Sequence, residues 1–486
     1  MHQHPLRLAL ATATAAALAG GLLTFSATTA TAAPSGKSGD FNGDGYRDVA
    51  IAAPAATVDG KSWAGKVAVV YGTATGLNPA KRTVISQNTA GIPGSAESYD
   101  EFGDRVAAAD LNRDGYCDLV VAAEHEDSGS KEDSGTVVIV WGSSSGLKGG
   151  TTVENPEPQY GSYFGMSVAA ADFTGDGKPD LAVSTQSSTG SRYKVRLIRG
   201  PFTKSGSTGS ISSYSPGVDG PGLTAGNVDK DAKADLVVTG QKTNSEHLAA
   251  AVFYKGTSSG LSKGATLRAG TTAAIGDLDG DGYGDIALGN PDDPDNEPSG
   301  STGGEVSIVY GTATGPSATR RTTLTQSSAG VPDSSEYGDQ FGGAVAIGDL
   351  DKDGHGDLAI GASGESFGDE MNYLSSAGAI TLLRGSAAGL STTGAVFLTQ
   401  DSPGVPGALE GTDNFGSQLL ASDVNGDGRA DLTAIAANEN DPAGAAWHLP
   451  GAASTLYSTT TATSFGPTSL GLSTQQGAAF GSDLAG

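Results

Sequence analysis

Seven short segments of this chain place oxygen-bearing side chains at the same four positions. Each segment is nine residues long, with Asp, Asn or Thr at positions 1, 3, 5 and 9 and, in all but one copy, glycine at position 6. The best copy reads DLDGDGYGD and runs from Asp277 to Asp285. Together the segments hold 23 aspartates. So much like charge within nine residues repels itself unless a cation lies among the carboxylates.

Calcium fits this pattern of oxygen atoms. It takes six to eight oxygen ligands at about 2.3–2.6 Å, so side chains at positions 1, 3, 5 and 9 and a backbone carbonyl at position 7 can surround one ion. Glycine at position 6 permits the sharp turn. We therefore predict calcium as the cofactor, with up to about seven ions per chain. The predicted metal-binding residues are Asp40, Asn42, Asp44, Tyr46, Asp48, Asp110, Asn112, Asp114, Tyr116, Asp118, Asp172, Thr174, Asp176, Lys178, Asp180, Asp229, Asp231, Asp235, Asp277, Asp279, Asp281, Tyr283, Asp285, Asp349, Asp351, Asp353, His355, Asp357, Asp423, Asn425, Asp427, Arg429 and Asp431.

The seven copies, which we number as loops 1 to 7 in chain order, are not equivalent. Loop 3 has Thr174 at position 3, a neutral and weaker ligand. Loop 4 begins with Asn227 and has Ala232 instead of glycine, so it is expected to bind weakly or to be empty. A single copy would fit an Asp-Gly turn between strands equally well. Seven aligned copies favour calcium.

The residues around each loop indicate strands. Short apolar segments such as IALGN and LAIGA follow the loops, whereas an EF-hand would place its last acidic ligand at position 12, on a helix. Phe-Gly lies eight residues upstream of four loops, and strands such as KVAVVYG and TVVIVWG lie downstream, each followed by a short turn. About four period-2 strands per unit are typical of a propeller blade.

The two ends of the chain complement each other. The first loop, at Asp40, has no Phe-Gly strand before it in the predicted mature chain, whereas the chain ends with FGSDLAG, an inner strand without a loop. Joining the two ends completes one blade and removes exposed sheet edges. We predict an all-β fold over residues 33–486, a seven-bladed β-propeller closed by residues 480–486 joining the first blade.

These motifs resemble FG-GAP repeats, the units of the integrin α-subunit N-terminal propeller. The resemblance covers essentially the whole of residues 33–486 and rests on Phe-Gly, the aspartate loop and a Gly-Ala-Pro-like segment such as IAAP at Ile51–Pro54. Blades 4 and 5 lack Phe-Gly, so their inner strands are the least well specified. The resemblance implies a calcium-stabilised propeller used for adhesion or ligand binding. Propellers of this kind also accompany hydrolases.

The first 32 residues have the features of a secretory signal peptide. Arg7 precedes an apolar stretch from Leu8 to about Phe25, and Ala30–Ala32 offers small residues for cleavage. No later segment is apolar enough to span a bilayer. We therefore predict a secreted, extracellular protein without membrane insertion.

Net charge limits the classes of partner, and cysteine content limits the possible disulfides. The net charge of −26 argues against nucleic acid or an anionic membrane surface as the partner. Cys117 is the single cysteine, so no intrachain disulfide can form. A monomer is expected.

The predicted ligand surface is the face opposite the aspartate loops. In an up-and-down blade, the aspartate loops (1–2 connections) and the short turns (3–4 connections) lie on one face, and the 2–3 and 4–1 connections lie on the other. The longest 2–3 connections are Ala122–Gly135, Gly289–Gly304 and Gly361–Gly378. Because long loops on a rigid scaffold usually carry recognition, we expect an extracellular protein or carbohydrate ligand to bind there.

Three of the 4–1 connections share a second pattern, in which Gln, Pro and Glu recur at fixed offsets before Phe. One interpretation is that these residues support the neighbouring blade, and the other is that they bind ligand. The recurring residues are Gln87, Gln326 and Gln400, Pro93, Pro332 and Pro406, and Glu97, Glu336 and Glu410.

No catalytic constellation is identifiable from the sequence. GSSSG at Gly142–Gly146 matches the G-x-S-x-G motif, but Ser144 aligns with Ala74, Ala313 and Ala387 in other repeats and is interpreted as a turn residue. The histidines beyond the leader are not at metal-site spacing from one another. The leading prediction is therefore a non-enzymatic adhesion or ligand-binding module. The alternative is an extracellular hydrolase or lyase acting on polysaccharide or phospholipid through the long-loop face.

Overall fold

The computed structural model describes residues 35–187, 192–243, 248–298, 300–369, 371–440, 442–472 and 477–486. These residues all belong to one compact unit, Ala33–Gly486. The predicted signal peptide, residues 1–32, lies outside the described residues. Within the described part of the chain, no helix is long and apolar enough to cross a membrane.

Nearly all of the regular structure is β-strand. Within the described ranges, one short helix, α1 (Pro467–Leu470), lies in the connection that leads from blade 7 toward the C-terminus. The strands are β1 (Val49–Ala53), β2 (Lys66–Val70), β3 (Arg82–Ile85), β4 (Val106–Ala109), β5 (Asp118–Ala123), β6 (Thr136–Val140), β7 (Gly150–Val153), β8 (Val168–Ala171), β9 (Asp180–Gln186), β10 (Tyr193–Ile198), β11 (Ile211–Tyr214), β12 (Val218–Gly226), β13 (Asp235–Lys242), β14 (Ala249–Thr257), β15 (Gly260–Leu267), β16 (Thr272–Gly276), β17 (Asp285–Asn290), β18 (Glu305–Val309), β19 (Arg321–Leu324), β20 (Phe341–Gly348), β21 (Asp357–Ala362), β22 (Ala379–Arg384), β23 (Ser391–Leu398), β24 (Phe415–Ser422), β25 (Asp431–Ala436), β26 (Ala445–Leu449), β27 (Thr463–Phe465) and β28 (Leu484–Ala485).

The strands form seven four-stranded antiparallel sheets, which confirms the predicted seven-bladed propeller. Blade 1 has the order β28-β1-β2-β3, and each later blade uses four consecutive strands, from β4–β7 in blade 2 to β24–β27 in blade 7. Blades 4 and 5, which lack Phe-Gly, still form their inner strands β12 and β16. The aspartate loops connect strands 1 and 2 of blades 2 to 7, as predicted.

The core lies between neighbouring blades. Val67 and Val69 of blade 1 pack with Phe102, Leu119 and Val121 of blade 2 in one buried cluster. Strands β5, β21 and β25 are buried along their whole length, which matches their continuous apolar sequences. The phenylalanine of each Phe-Gly is buried between two neighbouring blades. Full burial of such a side chain contributes about 1.5–3 kcal/mol to the free energy of unfolding.

The glycine of Phe-Gly is required by close approach of the backbone. Gly103 has φ of 95°, and a β-carbon there would lie 2.7 Å from Val67 Cγ2 and 2.9 Å from the Lys66 carbonyl of the previous blade. Glycine therefore lets the inner strand of blade 2 contact blade 1.

The C-terminal segment closes the ring. Leu484 and Ala485 pair with Ile51 and Ala50 of β1, and the Gly481 N–H donates to the Ala52 carbonyl at 2.7 Å. The extended part is shorter than the predicted strand 480–486, because Gly481, with φ of 78°, lies in a turn. The same turn precedes β4 in blade 2, so the C-terminal segment follows the repeat of the other blades.

A second contact joins several of the blades to their neighbours. The glycine of a 3–4 turn packs on an aromatic side chain of the preceding blade, and in one such pair the Leu390 N–H donates to the Tyr310 hydroxyl at 2.9 Å beside Gly389. At the junction that closes the ring, Gly76 of blade 1 packs on His448 of blade 7. His448 occupies the strand position that Phe253 holds in blade 4.

Replacing Phe480 tests the closure. Phe480 is 1% exposed and packs with Val49, Ile51 and Leu470. We expect Phe480→Ala to lower the free energy of unfolding by about 3–5 kcal/mol, the usual effect of removing a buried phenylalanine. Urea denaturation at saturating calcium measures this loss. A change below about 1 kcal/mol, comparable to that of a surface substitution, would contradict the closure.

His448 should make the protein sensitive to acid. Burial lowers the pKa of His448 from 6.5 to about 4, and neither ring nitrogen has a hydrogen-bond partner among the described residues. Between these values the unfolded chain takes up a proton that the folded chain does not, so stability falls as the pH drops from 6.5 toward 4. His448→Phe, which copies Phe253, should remove up to about 3 kcal/mol of this loss. Parallel unfolding free energies of the two proteins from pH 7 to pH 4.5 would contradict the assignment.

Candidate metal centres

Backbone amides organise the first aspartate of each loop. In loop 5, Asp277 Oδ1 accepts from the Asp281 N–H at 3.1 Å and Oδ2 accepts from the Gly282 N–H at 2.8 Å. The equivalent aspartates of the other loops, except loop 4, accept from the N–H of the position-6 glycine; they are Asp40, Asp110, Asp172, Asp349 and Asp423. The loop backbone is therefore folded around this carboxylate.

The carboxylates at positions 3 and 5 each accept a hydrogen bond from the N–H two residues later. Asp279 Oδ1 accepts from the Asp281 N–H at 3.2 Å, and Asp281 Oδ1 accepts from the Tyr283 N–H at 2.9 Å. These turns use one oxygen of each carboxylate. The second oxygen of Asp279 pairs with Arg320.

The aspartate at position 9 ties the loop to a distant turn. Asp285 Oδ2 accepts from the Leu278 N–H at 2.9 Å, and Oδ1 accepts from the Gly311 N–H at 2.8 Å, after strand β18. The same glycine bond forms in every blade: the acceptors are Asp48, Asp118, Asp180, Asp235, Asp285, Asp357 and Asp431, and the donors are Gly72, Gly142, Gly200, Gly256, Gly311, Gly385 and Gly451. We call this pair of bonds the aspartate clamp.

The clamp carboxylates are buried, and this changes their acidity. Burial raises the pKa of Asp48 to about 8 and that of Asp285 to about 7, although the bonds from Gly72 and Gly311 act in the opposite direction. A buried carboxylate needs a cation or several donors to remain charged. Sequence reasoning predicted these residues as metal ligands and missed their bond to the 3–4 turn. The glycine that recurs after the third strand of each blade was the sequence signal that could have revealed this bond.

Loops 5 and 6 bring three carboxylates together. Oxygens of Asp277, Asp279 and Asp285 lie within 4.8 Å of one another, and a second such group consists of Asp349, Asp351 and Asp353. A calcium ion with bonds of about 2.4 Å joins oxygens up to about 4.8 Å apart, so both groups fit calcium. Loops 1, 2, 3 and 7 offer Asn42, Asn112, Thr174 and Asn425 at position 3 instead of a carboxylate.

Basic side chains from outside the loops pair with the position-3 aspartates of loops 4, 5 and 6, which the sequence did not reveal. Arg320 pairs with Asp279, Arg384 with Asp351, and Lys255 with Asp229; all three aspartate side chains are almost fully buried. Lys255 and Arg384 stand before the glycine donor, where blades 1, 2 and 5 have an aromatic residue. These cations supply part of the positive charge that the loops require.

The negative charge of loop 4 is the most completely neutralised by basic side chains of the protein itself. Lys255 lies 3.4 Å from Asp231 as well as contacting Asp229, and Lys233 lies 3.1 Å from Asp231. Asn227 replaces the carboxylate around which the other loops fold. This arrangement favours the predicted weak or empty state of loop 4.

In loop 3, Thr174 is 5% exposed, and its Oγ1 makes no hydrogen bond within the part of the chain that the structure describes. Its N–H donates to Asp180 at 3.1 Å. The threonine oxygen is therefore available as the neutral ligand that the sequence predicts.

The recurring Gln of the 4–1 connections supports the adjacent blade. Gln326 Nε2 donates to Glu365 at 2.5 Å, and both side chains are almost fully buried. Gln87 and Gln400 make the same bond to Glu126 and Glu439, at 2.6 Å each; the three pairs are Gln87–Glu126, Gln326–Glu365 and Gln400–Glu439. The supporting interpretation is therefore confirmed for these glutamines. The recurring residues Glu97, Glu336 and Glu410 are exposed.

Ser144 lies in the exposed turn between Gly142 and Gly146, as the repeat alignment predicts. The backbone of this turn is closed by the Gly146 N–H, which donates to the Ser143 carbonyl at 2.8 Å.

A matched pair of substitutions tests the calcium assignment. Asp281 and Asp231 occupy position 5 of loops 5 and 4. We expect Asp281→Asn to remove one bound calcium ion per chain and Asp231→Asn to remove none, because Lys255 and Lys233 already neutralise Asp231. Metal analysis after equilibrium dialysis against calcium counts the ions. Equal counts for wild type and Asp281→Asn, or loss of an ion from Asp231→Asn, would contradict the assignment.

Family models match five segments of the chain. The FG-GAP repeat matches residues 33–70, 269–309, 341–383 and 415–449, and an FG-GAP-like repeat matches residues 110–183. These segments include every aspartate loop except loop 4.

Curated relatives match over about a third of the chain. Phosphatidylinositol-glycan-specific phospholipase D of Mus musculus is 32% identical over 162 residues, 33% of this chain and 19% of that protein. Integrin alpha-IIb of Mus musculus is 36% identical over 148 residues, 30% of this chain and 14% of that protein. The match to the first of these relatives, the phospholipase, therefore spans about a fifth of its length.

A solved exotype rhamnogalacturonan lyase is similar with a TM-score of 0.40 and 14% identity. The match covers 82% of this chain and 69% of the lyase.

Proposed function

Since this chain carries FG-GAP repeats on a seven-bladed propeller, we propose that it is a secreted, calcium-binding module for adhesion or ligand binding. Its ligand is an extracellular protein or glycan, held on the face formed by the 2–3 and 4–1 connections. We call this the long-loop face. It lies opposite the aspartate loops because successive strands of each blade are antiparallel.

The position of exposed apolar side chains carries this proposal. Among the described residues, the large hydrophobic side chains that are exposed are almost all in connections of the long-loop face. They are Trp63, Tyr99, Tyr160, Tyr337, Met371 and Tyr373, with exposures from 44% to 88%. The remaining one, Ile211, is on the outer strand β11. Exposed aromatic side chains concentrated on one face mark an interaction surface.

Two of these aromatic residues are held on ordered backbone. Trp63 and Tyr99 have φ of 59° and 73°, and the segments that carry them are joined by two hydrogen bonds. The Tyr99 N–H donates to the Ser62 carbonyl at 3.0 Å, and the Glu101 N–H donates to the Trp63 carbonyl at 2.9 Å. Because the backbone under these side chains is already ordered, less conformational entropy is lost on binding.

Calcium and ligand have separate roles in this proposal. The ions neutralise the loops at one end of the blades, and the aromatic side chains contact ligand at the other end. The net charge of −26 favours a neutral or basic ligand surface over an acidic one. The aromatic residues are in blades 1 and 6 and in the connections that enter blades 2, 3 and 6, so the long loop of blade 5 is not part of this group.

A binding screen with surface variants tests the proposal. Glycan and extracellular-matrix protein arrays, probed at saturating calcium, identify the ligand class. Trp63→Ala and Tyr337→Ala should each weaken binding at least tenfold, as expected for aromatic residues at the centre of an interface, without lowering the melting temperature. Ile211→Ala is the matched control and should bind like wild type. Unchanged affinity in both aromatic variants, or equal loss in Ile211→Ala, would contradict the proposed face.

The enzymatic alternative stays a prediction. It is checked by incubating the protein with polysaccharides and phospholipids and measuring released reducing ends, unsaturated sugars or phosphatidic acid. The monomer prediction is checked by light scattering.

A further inference from the structure

A group of metal-binding side chains lies on the long-loop face, away from the aspartate loops. Glu101 is in the connection that enters blade 2, and Glu124 and His125 directly follow strand β5. Their ligand atoms all lie within 4.8 Å of one another. Spacing between histidines does not reveal this group, because its members come from two different connections.

The distances within the group fit the spacing of ligands around a metal ion. His125 Nε2 lies 3.6 Å from Glu124 Oε1 and 3.9 Å from Glu101 Oε2. Both separations exceed the roughly 3.2 Å limit of a good N–H···O hydrogen bond. Ligands bonded to one tetrahedral zinc ion at about 2.0–2.2 Å lie about 3.4 Å apart. The spacing is therefore closer to that across a metal ion than to that of a direct contact.

The other ring nitrogen of His125 is already fixed. Nδ1 lies 3.1 Å from Asp133 Oδ1, and the ring also meets the Tyr163 ring edge-on, with centroids 5.2 Å apart. When its ring is neutral, a histidine that donates Nδ1–H to a carboxylate leaves the Nε2 lone pair free to bind a metal ion. This is the arrangement found behind most metal-binding histidines.

Other blades show that the fold does not need these charges. In blade 6 the positions of Glu101 and Glu124 hold Gln340 and Ser363, joined by a 2.8 Å hydrogen bond. In blade 7 the positions of Glu101 and His125 hold Asn414 and Asn438, joined at 2.5 Å. Neutral pairs in direct contact thus satisfy the repeat, and blade 2 alone among these three replaces them with separated metal ligands.

The surrounding charges favour a bound cation. Arg105 is the permanent cation that acts on this group, and it also pairs with Asp104 at 3.1 Å. The carboxylates that act on Arg105 or His125 are Glu101, Asp104, Glu124, Asp133 and Asp483. Negative charge thus exceeds positive charge, and a divalent ion offsets part of the difference.

We infer that Glu101, Glu124 and His125 hold one divalent transition-metal ion of the zinc class on the long-loop face. An imidazole with two carboxylates suits zinc, whereas calcium takes oxygen ligands. Three protein ligands leave one position open for water or for an oxygen of a bound ligand.

The test uses zinc titration of the full chain in excess calcium, so that the aspartate loops are filled. The wild-type protein, which has Glu101, Glu124 and His125, should bind one zinc ion per chain. The double variant Glu101→Asn/His125→Asn copies the blade 7 pair, and Asn tolerates the positive φ of 56° at position 101. It should bind zinc at least tenfold more weakly while keeping the wild-type calcium count and melting temperature.

Glu132→Gln is the matched control, because Glu132 is an exposed acid of the same 2–3 connection. It should bind zinc like wild type. Absence of saturable zinc binding by wild type, or equal affinity in wild type and the double variant, would overturn the inference. The array experiment above does not depend on zinc, so failure of one proposal is distinguishable from failure of the other.

Discussion

The aspartate clamp is the interaction on which the propeller depends. In each blade, one buried carboxylate accepts an N–H from the start of its own loop and another from the glycine after the third strand, as Asp285 does with Leu278 and Gly311. Hydrogen bonds to a charged carboxylate contribute about 1.5–3 kcal/mol each. Because a buried charge is unfavourable without such partners, loop and turn must come together for the blade to form.

This constraint divides the molecule into two ends with different requirements. At the clamp end, backbone geometry is repeated seven times and leaves little room for variation. At the long-loop end, the connections are held by Gln–Glu contacts between blades, such as Gln326–Glu365, and otherwise differ in length and composition. That freedom allows exposed aromatic side chains and the Glu101–Glu124–His125 group to occur in some blades only.

The fold could be predicted from the sequence because its motifs repeat. Phe-Gly, the nine-residue loop and the short apolar strands recur in register, so blade number and ring closure followed from the pattern. The shorter closing strand was missed because Gly481 forms a turn that strand periodicity does not record. The basic residues Arg320 and Arg384 and the clamp glycines were missed because they reach the loops across 20 to 41 residues of chain. Contacts of that kind are set by tertiary packing and not by local pattern.

Hydrogen exchange at the seven clamp glycines tests the central claim most directly. In the calcium-loaded protein, the amide protons of Gly72, Gly142, Gly200, Gly256, Gly311, Gly385 and Gly451 should exchange as slowly as those of the central strands, although each begins a surface turn. The clamp predicts this protection in all seven blades. Exchange of these amides at the rate of the exposed turn residues that follow them would contradict it.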